Sequence, residues 1–254
     1  LAHLDLALLG ERLREEALRL GLERHLQVLA DAVVADVKEP NIRARGANLR
    51  DHERASLLDV DGRRILVNPS LPPQVLEVRL DERASLRLAD ITDVFMTSFY
   101  PDHRRSLTAL EHADWWISEA EREAMEEFLD GEQSGADSHD DRERQGLIRS
   151  ERELVERTQV APDQLAEGID LFPLPGISPG SCGLLLPLPQ QTVLICGDAV
   201  ATSEHLEQGQ VLASCWNREQ ALDSFKDAIE IADMLVLGRD NAVPNPIRSG
   251  GLLG

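Results

Sequence analysis

Chemically active side chains stand at three places in the sequence, each just after a short apolar run. They are Asp102-His103, Gly197-Asp198 and Arg239-Asp240. Carboxylates and imidazoles bind metal ions, and they also transfer protons as general acids and bases. A lone Asp-His or Gly-Asp pair occurs by chance in many chains. The elements that position these residues therefore decide whether they act together.

The apolar runs predict strands that alternate with helices. We predict strands over 94–97, 115–117, 169–174, 182–188, 192–196 and 234–237, and helices over 106–111, 119–129, 150–157 and 218–231. This alternation is typical of α/β layers. The sequence contains no internal repeat that is visible by eye.

A hairpin precedes these elements. Ala55–Val60 is apolar, Asp61-Gly62 is a strong signal for a two-residue turn, and Ile65–Val67 returns before Asn68-Pro69 breaks the strand. The hairpin is the clearest local prediction in the chain.

The region before the hairpin is interpreted as a separate element. Leucines at mixed three- and four-residue steps in residues 1–27 predict an amphipathic helix that packs on the domain or on a partner subunit. The run Val28–Val37 is β-branched and alanine-rich and predicts a first strand, which Pro40 ends. A polar stretch with Gly46 follows.

One acidic segment interrupts the domain. Residues 130–146 have almost no apolar content, so they bury too little surface to offset the entropy of ordering. We predict an exposed, mobile loop there, and we interpret His139 within it as a solvated side chain rather than a ligand.

Composition excludes several classes of function. A net charge of −20 disfavours nucleic acids and anionic membranes. No apolar run approaches the roughly 20 residues that a membrane span needs. Three cysteines at no zinc-finger spacing are typical of reduced thiols in a cytosolic protein. With 42% hydrophobic residues the chain can build a substantial core.

Five segments, in chain order and each on a predicted strand end, resemble the motifs of the metallo-β-lactamase superfamily. Ser56–Leu71 resembles its opening hairpin, Thr97–His103 its T-H-x-H-x-D-H motif, Pro175–Ser181 its P-G-H-T-P-G-S turn, Val193–Ala199 its strand into Gly-Asp, and Asp233–Asn241 its strand into Pro-Gly-His. The resemblance covers residues 55–245. It implies a four-layer αβ/βα sandwich, with one domain over 28–254.

The resemblance also implies where the metal ligands of the family would lie. The histidines of the first metal correspond to Ser98, Tyr100 and Ile177, none of which is a good zinc ligand at neutral pH. The second metal corresponds to Asp102, His103 and Asp198, with Arg239 in place of the last histidine. The first site is therefore expected to be lost, whereas three of four ligands of the second survive.

Two interpretations of Arg239 remain open. Its permanent charge could neutralise Asp102 and Asp198 in place of a cation, and we favour this interpretation, with no cofactor. It predicts that Arg239 lies within hydrogen-bonding reach of one of these aspartates. Alternatively, Asp240 could supply an oxygen ligand and retain one zinc or other divalent metal ion.

Roles for the remaining cleft residues follow from the resemblance in the same way. His103 could act as a general base poised by Asp102 and Asp198, and Tyr100 could donate a proton, although residual scaffold is the simpler interpretation for both. His205, seven residues after Asp198, either projects into the cleft or is an exposed helical histidine.

Three functional hypotheses follow. The first is a non-catalytic or weakly catalytic member of this fold that binds a small molecule or a protein partner in the vestigial cleft. The second is a mononuclear metal-dependent hydrolase that uses Asp102, His103 and Asp198, with Asp240 or His205. The third is a structural subunit, in a homodimer or with an active homologue, whose seam is the N-terminal helix.

Overall fold

The structure is a computed structural model that describes residues 43–46, 55–134 and 142–249 of the chain. Two six-stranded sheets form its centre. The first contains β1 to β6 in chain order, with bounds Arg43–Gly46, Ser56–Val60, Arg63–Val67, Asp93–Phe95, Asp114–Ile117 and Gln159–Val160. Strands β1 to β3 are antiparallel, and β3 to β6 are parallel.

The second sheet has the order β12-β11-β10-β9-β8-β7. Strands β7 to β12 are Gln164–Ala166, Ile169–Pro173, Cys182–Pro187, Thr192–Gly197, Met234–Leu237 and Ala242–Pro244. In this sheet β10 and β11 are parallel, and the other neighbouring strands are antiparallel. Parallel strands bring their carboxyl ends to one edge, which is where ligands bind in many α/β folds.

Helices cover the outer faces. They are α1 (Pro73–Ala84), α2 (Glu119–Ser134), α3 (Arg142–Glu156), α4 (Ser203–Gln208), α5 (Arg218–Ile231) and α6 (Pro246–Ser249). Short 3₁₀ turns occupy Leu88–Asp90, Pro101–Arg104, Leu107–Leu110 and Asp198–Val200.

Three apolar clusters lie between the four layers. The first packs Leu76 and Leu129 of the helices onto Trp115 of the first sheet, and the third packs Phe225 of α5 onto Leu235 of the second sheet. Between them, side chains from both sheets, such as Phe95 of β4, form the central cluster. The prediction of an αβ/βα sandwich is confirmed.

Most predicted elements are present. The hairpin, α5 and β11 lie where the pattern placed them, whereas the expected helix over 106–111 is a 3₁₀ turn. The predicted helix and strand over residues 1–37 lie outside the described residues. No element was predicted for the polar stretch with Gly46, whereas residues 43–46 pair with β2 as strand β1.

Helix α1 was not predicted from the sequence. Leu76 and Leu80, one helical turn apart, are both buried against the first sheet. Pro73 occupies the first helical position, where the missing N–H costs nothing. Two buried leucines therefore suffice to hold a helix whose other residues are largely polar.

The predicted loop over 130–146 is too long at both ends. Helix α2 continues to Ser134 and α3 starts at Arg142, so that only 135–141 separate them, and these lie outside the described residues. Composition misled here because the apolar face of α3 is narrow: Ile148 and Val155 are buried, two turns apart. Ion pairs such as Arg152–Asp130 join the two helices. Of the helices described, none is both long and apolar enough to cross a membrane.

Candidate functional site

The candidate site lies where four strands end. Asn68 follows β3, Ser98 follows β4, Asp198 follows β10 and Arg239 follows β11. The first two strands belong to one sheet and the last two to the other, so the site spans both sheets at their shared edge.

Close backbone packing joins the two sheets at this edge. Thr97 exchanges two hydrogen bonds with Asn68: its N–H donates to Oδ1 (2.9 Å) and its hydroxyl accepts from Nδ2 (2.8 Å). Gly197 lies directly against it with φ of 53°, and a Cβ there would come within 2.5 Å of Thr97 Oγ1. A Cβ on Gly238 would come within 2.7 Å of Asp198 Oδ1. The two glycines thus let β10 and β11 bring Asp198 and Arg239 to the site.

His103 is held at the centre by contacts on both ring nitrogens. Its Nδ1 is 2.8 Å from Ser98 Oγ, and its Nε2 is 3.4 Å from Asp198 Oδ2. The side chains of His103, Ser98 and Asp198 are all buried. The imidazole therefore connects the end of the first sheet to the end of the second.

Arg239 makes two hydrogen bonds to Asp198. Its Nε donates to Asp198 Oδ1 (3.0 Å) and its Nη2 to Oδ2 (2.7 Å). Burial alone would raise the pKa of Asp198, but the hydrogen bonds from His103 and Arg239 hold that pKa well below its usual range. The prediction that Arg239 reaches Asp198 is confirmed.

Asp102 occupies a different environment from Asp198. It lies in the 3₁₀ turn Pro101–Arg104, with its side chain 54% exposed, and it accepts a hydrogen bond from Arg105 (2.9 Å). A carboxylate in water needs no buried counter-charge. Of the two aspartates expected to share Arg239, Asp198 is the one that the protein buries.

Tyr100 and Ile177 close one side of the site. The Tyr100 hydroxyl donates to the Ile177 carbonyl oxygen (2.8 Å), which also accepts from the Trp216 amide (3.0 Å). Burial, and then the charges of Glu121 and Asp198, raise the pKa of Tyr100. The phenol therefore stays protonated at neutral pH, and the Ile177 side chain is buried in the core of the second sheet.

Asp240 and His205 are engaged around α4. Asp240 Oδ2 accepts from the Ser203 amide (3.1 Å). Thr202 caps the helix by accepting from the His205 amide (3.2 Å), and its hydroxyl is 2.7 Å from His205 Nδ1. Both residues thus contribute to the start of this helix, and His205 is half-buried rather than exposed.

Comparison with known proteins decides the family. A family model described as "Metallo-beta-lactamase superfamily" matches residues 50–233. The chain belongs to the metallo-β-lactamase superfamily. A comparison with curated protein sequences gave no match.

Solved structures agree with this superfamily fold. A hydrolase, AbOPH, "in beta lactamase superfamily" has a TM-score of 0.57 at 14% identity and covers 88% of this chain and 80% of its own. A "dizinc quorum-quenching lactonase", AidC, has a TM-score of 0.56 at 15% identity, over 70% of this chain and 67% of its own. A putative metallo-β-lactamase from Thermotoga maritima has a TM-score of 0.55 at 18% identity and covers 80% of this chain and 98% of its own.

In the part of the chain that the structure describes, no group of three or more His, Cys, Asp or Glu is placed to hold a metal ion. The three cysteines are free, and burial raises the pKa of Cys182 to about 12.

Glu121, at the start of α2, is a residue of the site region that sequence analysis missed. Its buried carboxylate accepts from the Phe99 amide (2.7 Å), the Ser178 hydroxyl (2.6 Å) and the Gly180 amide (3.1 Å). It thus fixes the segment after β4 to the Pro175–Ser181 turn. A signal existed, because Ser118 precedes it by three residues, as in a capping box.

A groove opens beside Tyr100, on the α2 side of the site. Its volume is about 810 Å³, and its aromatic lining residues are Phe99, Tyr100, Phe128 and Trp216. We call it the aromatic groove. The sequence does not predict this groove, because Phe128 and Trp216 are far apart in the chain and belong to no motif.

Proposed function

We propose that this chain is a member of the superfamily that binds a small molecule in its cleft without a catalytic metal, with Arg239 supplying the positive charge that Asp198 requires. One observation carries the proposal: the bidentate contact of Arg239 with Asp198, at 3.0 and 2.7 Å. A buried carboxylate needs a cation or a raised pKa. Arg239 meets that need through a guanidinium rather than a metal ion.

The donor set around Asp198 fits zinc poorly. Zinc in proteins takes thiolate, imidazole and carboxylate ligands. The positions that the resemblance assigns to the first metal hold a serine bound to His103, a tyrosine bound to a carbonyl and a buried isoleucine. A guanidinium next to Asp198 would also repel a metal ion. The residues present therefore support a metal-free cleft.

The buried environment of His103 favours binding over catalysis. A general base must reach the proton that it removes, within about 3.2 Å or through one water. His103 is buried and both of its nitrogens face protein atoms. The Tyr100 hydroxyl donates its hydrogen bond to the Ile177 carbonyl oxygen. We therefore assign His103 and Asp198 a structural role.

Hydrolysis by a single metal ion is the runner-up. It is favoured by the hydrolase and lactonase names of the solved structures that this chain resembles. It requires Asp102, His103 and Asp198 to converge on one ion, whereas Asp102 faces solvent and Asp240 caps α4. The contacts of these residues give it less support than the metal-free cleft.

The charge and cysteine content support two further inferences. We infer that the partner is neither a nucleic acid nor an anionic membrane, because the net charge of −20 repels both. We also infer a cytosolic location from the three unpaired cysteines.

Metal analysis tests the proposal directly. The parent protein is purified without chelator, loaded with excess zinc and desalted. We expect it to retain less than one equivalent of zinc, as measured by mass spectrometry of the metal. The variant Arg239→His removes the guanidinium and adds an imidazole beside His103 and Asp198, so we expect it to retain more zinc than the parent. Arg63→His, at an ion pair remote from the site, is the matched control and should retain no more than the parent. A stoichiometric metal ion in the parent would overturn the proposal.

A further inference from the structure

The aromatic groove concentrates the aromatic side chains of the protein. It holds four of the nine Phe, Tyr and Trp side chains of the chain. Phe128 and Trp216 are each 58% exposed, which places two large aromatic surfaces in water at one location. Its volume of about 810 Å³ lies within the range of small-molecule sites, about 300–1,000 Å³.

Most polar groups that line the groove already have partners within the protein. Glu121 accepts three hydrogen bonds, and Tyr100 donates to Ile177. Arg104 donates to the Phe99 carbonyl (2.9 Å), pairs with Glu151 and stacks on the Phe99 ring. An occupant need not satisfy these groups, so its body can be purely apolar.

The charged residues of the groove indicate which sign of charge its ligand carries. Its lining carries three carboxylates, on Glu121, Glu127 and Glu151, and one guanidinium, on Arg104. Glu127 is exposed at the rim. An excess of negative charge next to exposed aromatic faces attracts a cation, because the faces of aromatic rings are also electron-rich.

We propose that the aromatic groove binds a small cationic amphiphile, an amine or quaternary ammonium with an alkyl or aryl body. The apolar body lies against Phe128, Met125 and Trp216, and the ammonium group faces Glu127 at the rim. This inference rests on the proposed binding role of the cleft and names its ligand class. Tyr100 joins the groove to the site, since its hydroxyl contacts the turn that carries Ile177.

A series of octyl compounds that differ only in the head group tests the charge. Calorimetric titration of the parent is expected to give binding of octyltrimethylammonium about tenfold tighter than that of octan-1-ol, and still weaker binding of octanoate. The preference should fall with added salt, because the rim carboxylates are exposed to solvent. Equal or tighter binding of octanoate would overturn the assignment.

Substitutions test the location. Phe128→Ser and Trp216→Ser each remove an exposed aromatic surface and are expected to weaken octyltrimethylammonium binding about tenfold. Leu147→Ser is the matched control, because Leu147 is 64% exposed on α3 and does not line the groove. Glu127→Gln should weaken binding about threefold, whereas Glu123→Gln, also exposed on α2 but outside the groove, should not. Melting temperatures confirm that each variant is folded.

Other occupants would give distinct results, each of which overturns the proposal. A parent dimer in sedimentation that Phe128→Ser dissociates would assign the groove to a second copy of the chain. Proteolytic cleavage within residues 1–42 that appears in Phe128→Ser alone would assign it to the chain's own N-terminal segment. Absence of octyltrimethylammonium binding in a parent that retains no zinc would refute this inference but leave the metal-free cleft standing.

Discussion

Two arginine–aspartate pairs, at opposite ends of the strands, have nearly the same geometry. Arg63–Asp93 lies at the start of β3 and β4, with contacts of 3.1 and 2.6 Å, and Arg239–Asp198 lies at the end of β10 and β11, with contacts of 3.0 and 2.7 Å. The arginine is 34% exposed in both, and the aspartate is 5% exposed in one and 2% in the other.

The pairs differ in the other donors to each carboxylate, and Arg63 also donates to the Leu165 carbonyl oxygen. Asp93 accepts from the Trp116 indole (2.9 Å) and the Thr92 hydroxyl (2.6 Å), whereas Asp198 has His103 at 3.4 Å. The pair at the candidate site thus resembles a structural ion pair at a remote location. This likeness supports the view that Arg239 replaces a cation.

Removing each arginine is the strongest test of the likeness. Arg239→Met and Arg63→Met leave a buried carboxylate without its cation, which costs about 3–5 kcal/mol for a fully buried pair. Because both arginines are about one-third exposed, we expect about 2 kcal/mol at each location, or a melting temperature lower by about 5 °C.

Arg105→Met is the control for this test, since Arg105 and Asp102 are both about half exposed. It should change the free energy of unfolding by less than about 0.5 kcal/mol in urea titrations. An Arg239→Met variant as stable as the parent would show that the two arginine–aspartate pairs are not alike.

The sequence predicted the framework of this site and the role of one contact in it. The resemblance assigned Asp198 and Arg239 to one metal position, each after a predicted strand, and the favoured interpretation was that the two opposite charges pair. The sequence did not predict that Asp102 would face solvent, because that depends on how the 3₁₀ turn after Pro101 orients each side chain. Nor did it predict the hydrogen bonds of Glu121, whose three donors lie 22 to 59 residues away in sequence.

Acid should weaken the Arg239–Asp198 pair more than the Arg63–Asp93 pair. The pKa of Asp198 is held well below its usual range, and the pKa of Asp93 is also lowered: in both, burial opposes the shift and hydrogen bonds, including those from arginine, outweigh it. A depressed pKa gives stability that is complete above the unfolded value, near 4, and is lost as the pH falls towards the folded value.

We therefore expect the free-energy difference between the parent and Arg239→Met to be constant from pH 7 to 5 and to shrink by about 1 kcal/mol towards pH 3. Arg63→Met should show a smaller change in the same direction. Urea titrations at each pH measure both differences. If the free-energy difference between the parent and Arg239→Met grew on acidification, the expected direction of the pH dependence would be wrong.

Replacing both the arginine and the aspartate of a pair is a further test of the comparison. It has the smallest expected effect on the free energy of unfolding. Exchanging an ion pair for apolar side chains of similar shape is often close to neutral, because the desolvation cost disappears with the charges. For Asp198→Leu with Arg239→Met, His103 Nε2 loses a contact of 3.4 Å, which is longer than either contact of Arg239 with Asp198. The double variant should lie within about 1 kcal/mol of the parent and above Arg239→Met alone.

The same exchange at the remote pair should cost more. Asp93→Leu with Arg63→Met removes the acceptor of the Trp116 indole and of the Thr92 hydroxyl. Each donor that loses its acceptor costs about 1 kcal/mol when solvent reaches it in part, so this double variant should be less stable than its counterpart at the site by about 1 kcal/mol. The opposite order of the two double variants would mean that His103 depends on Asp198 more than their distance indicates. In that case His103, Asp198 and Arg239 would form one polar network, and the comparison with a simple structural ion pair would fail.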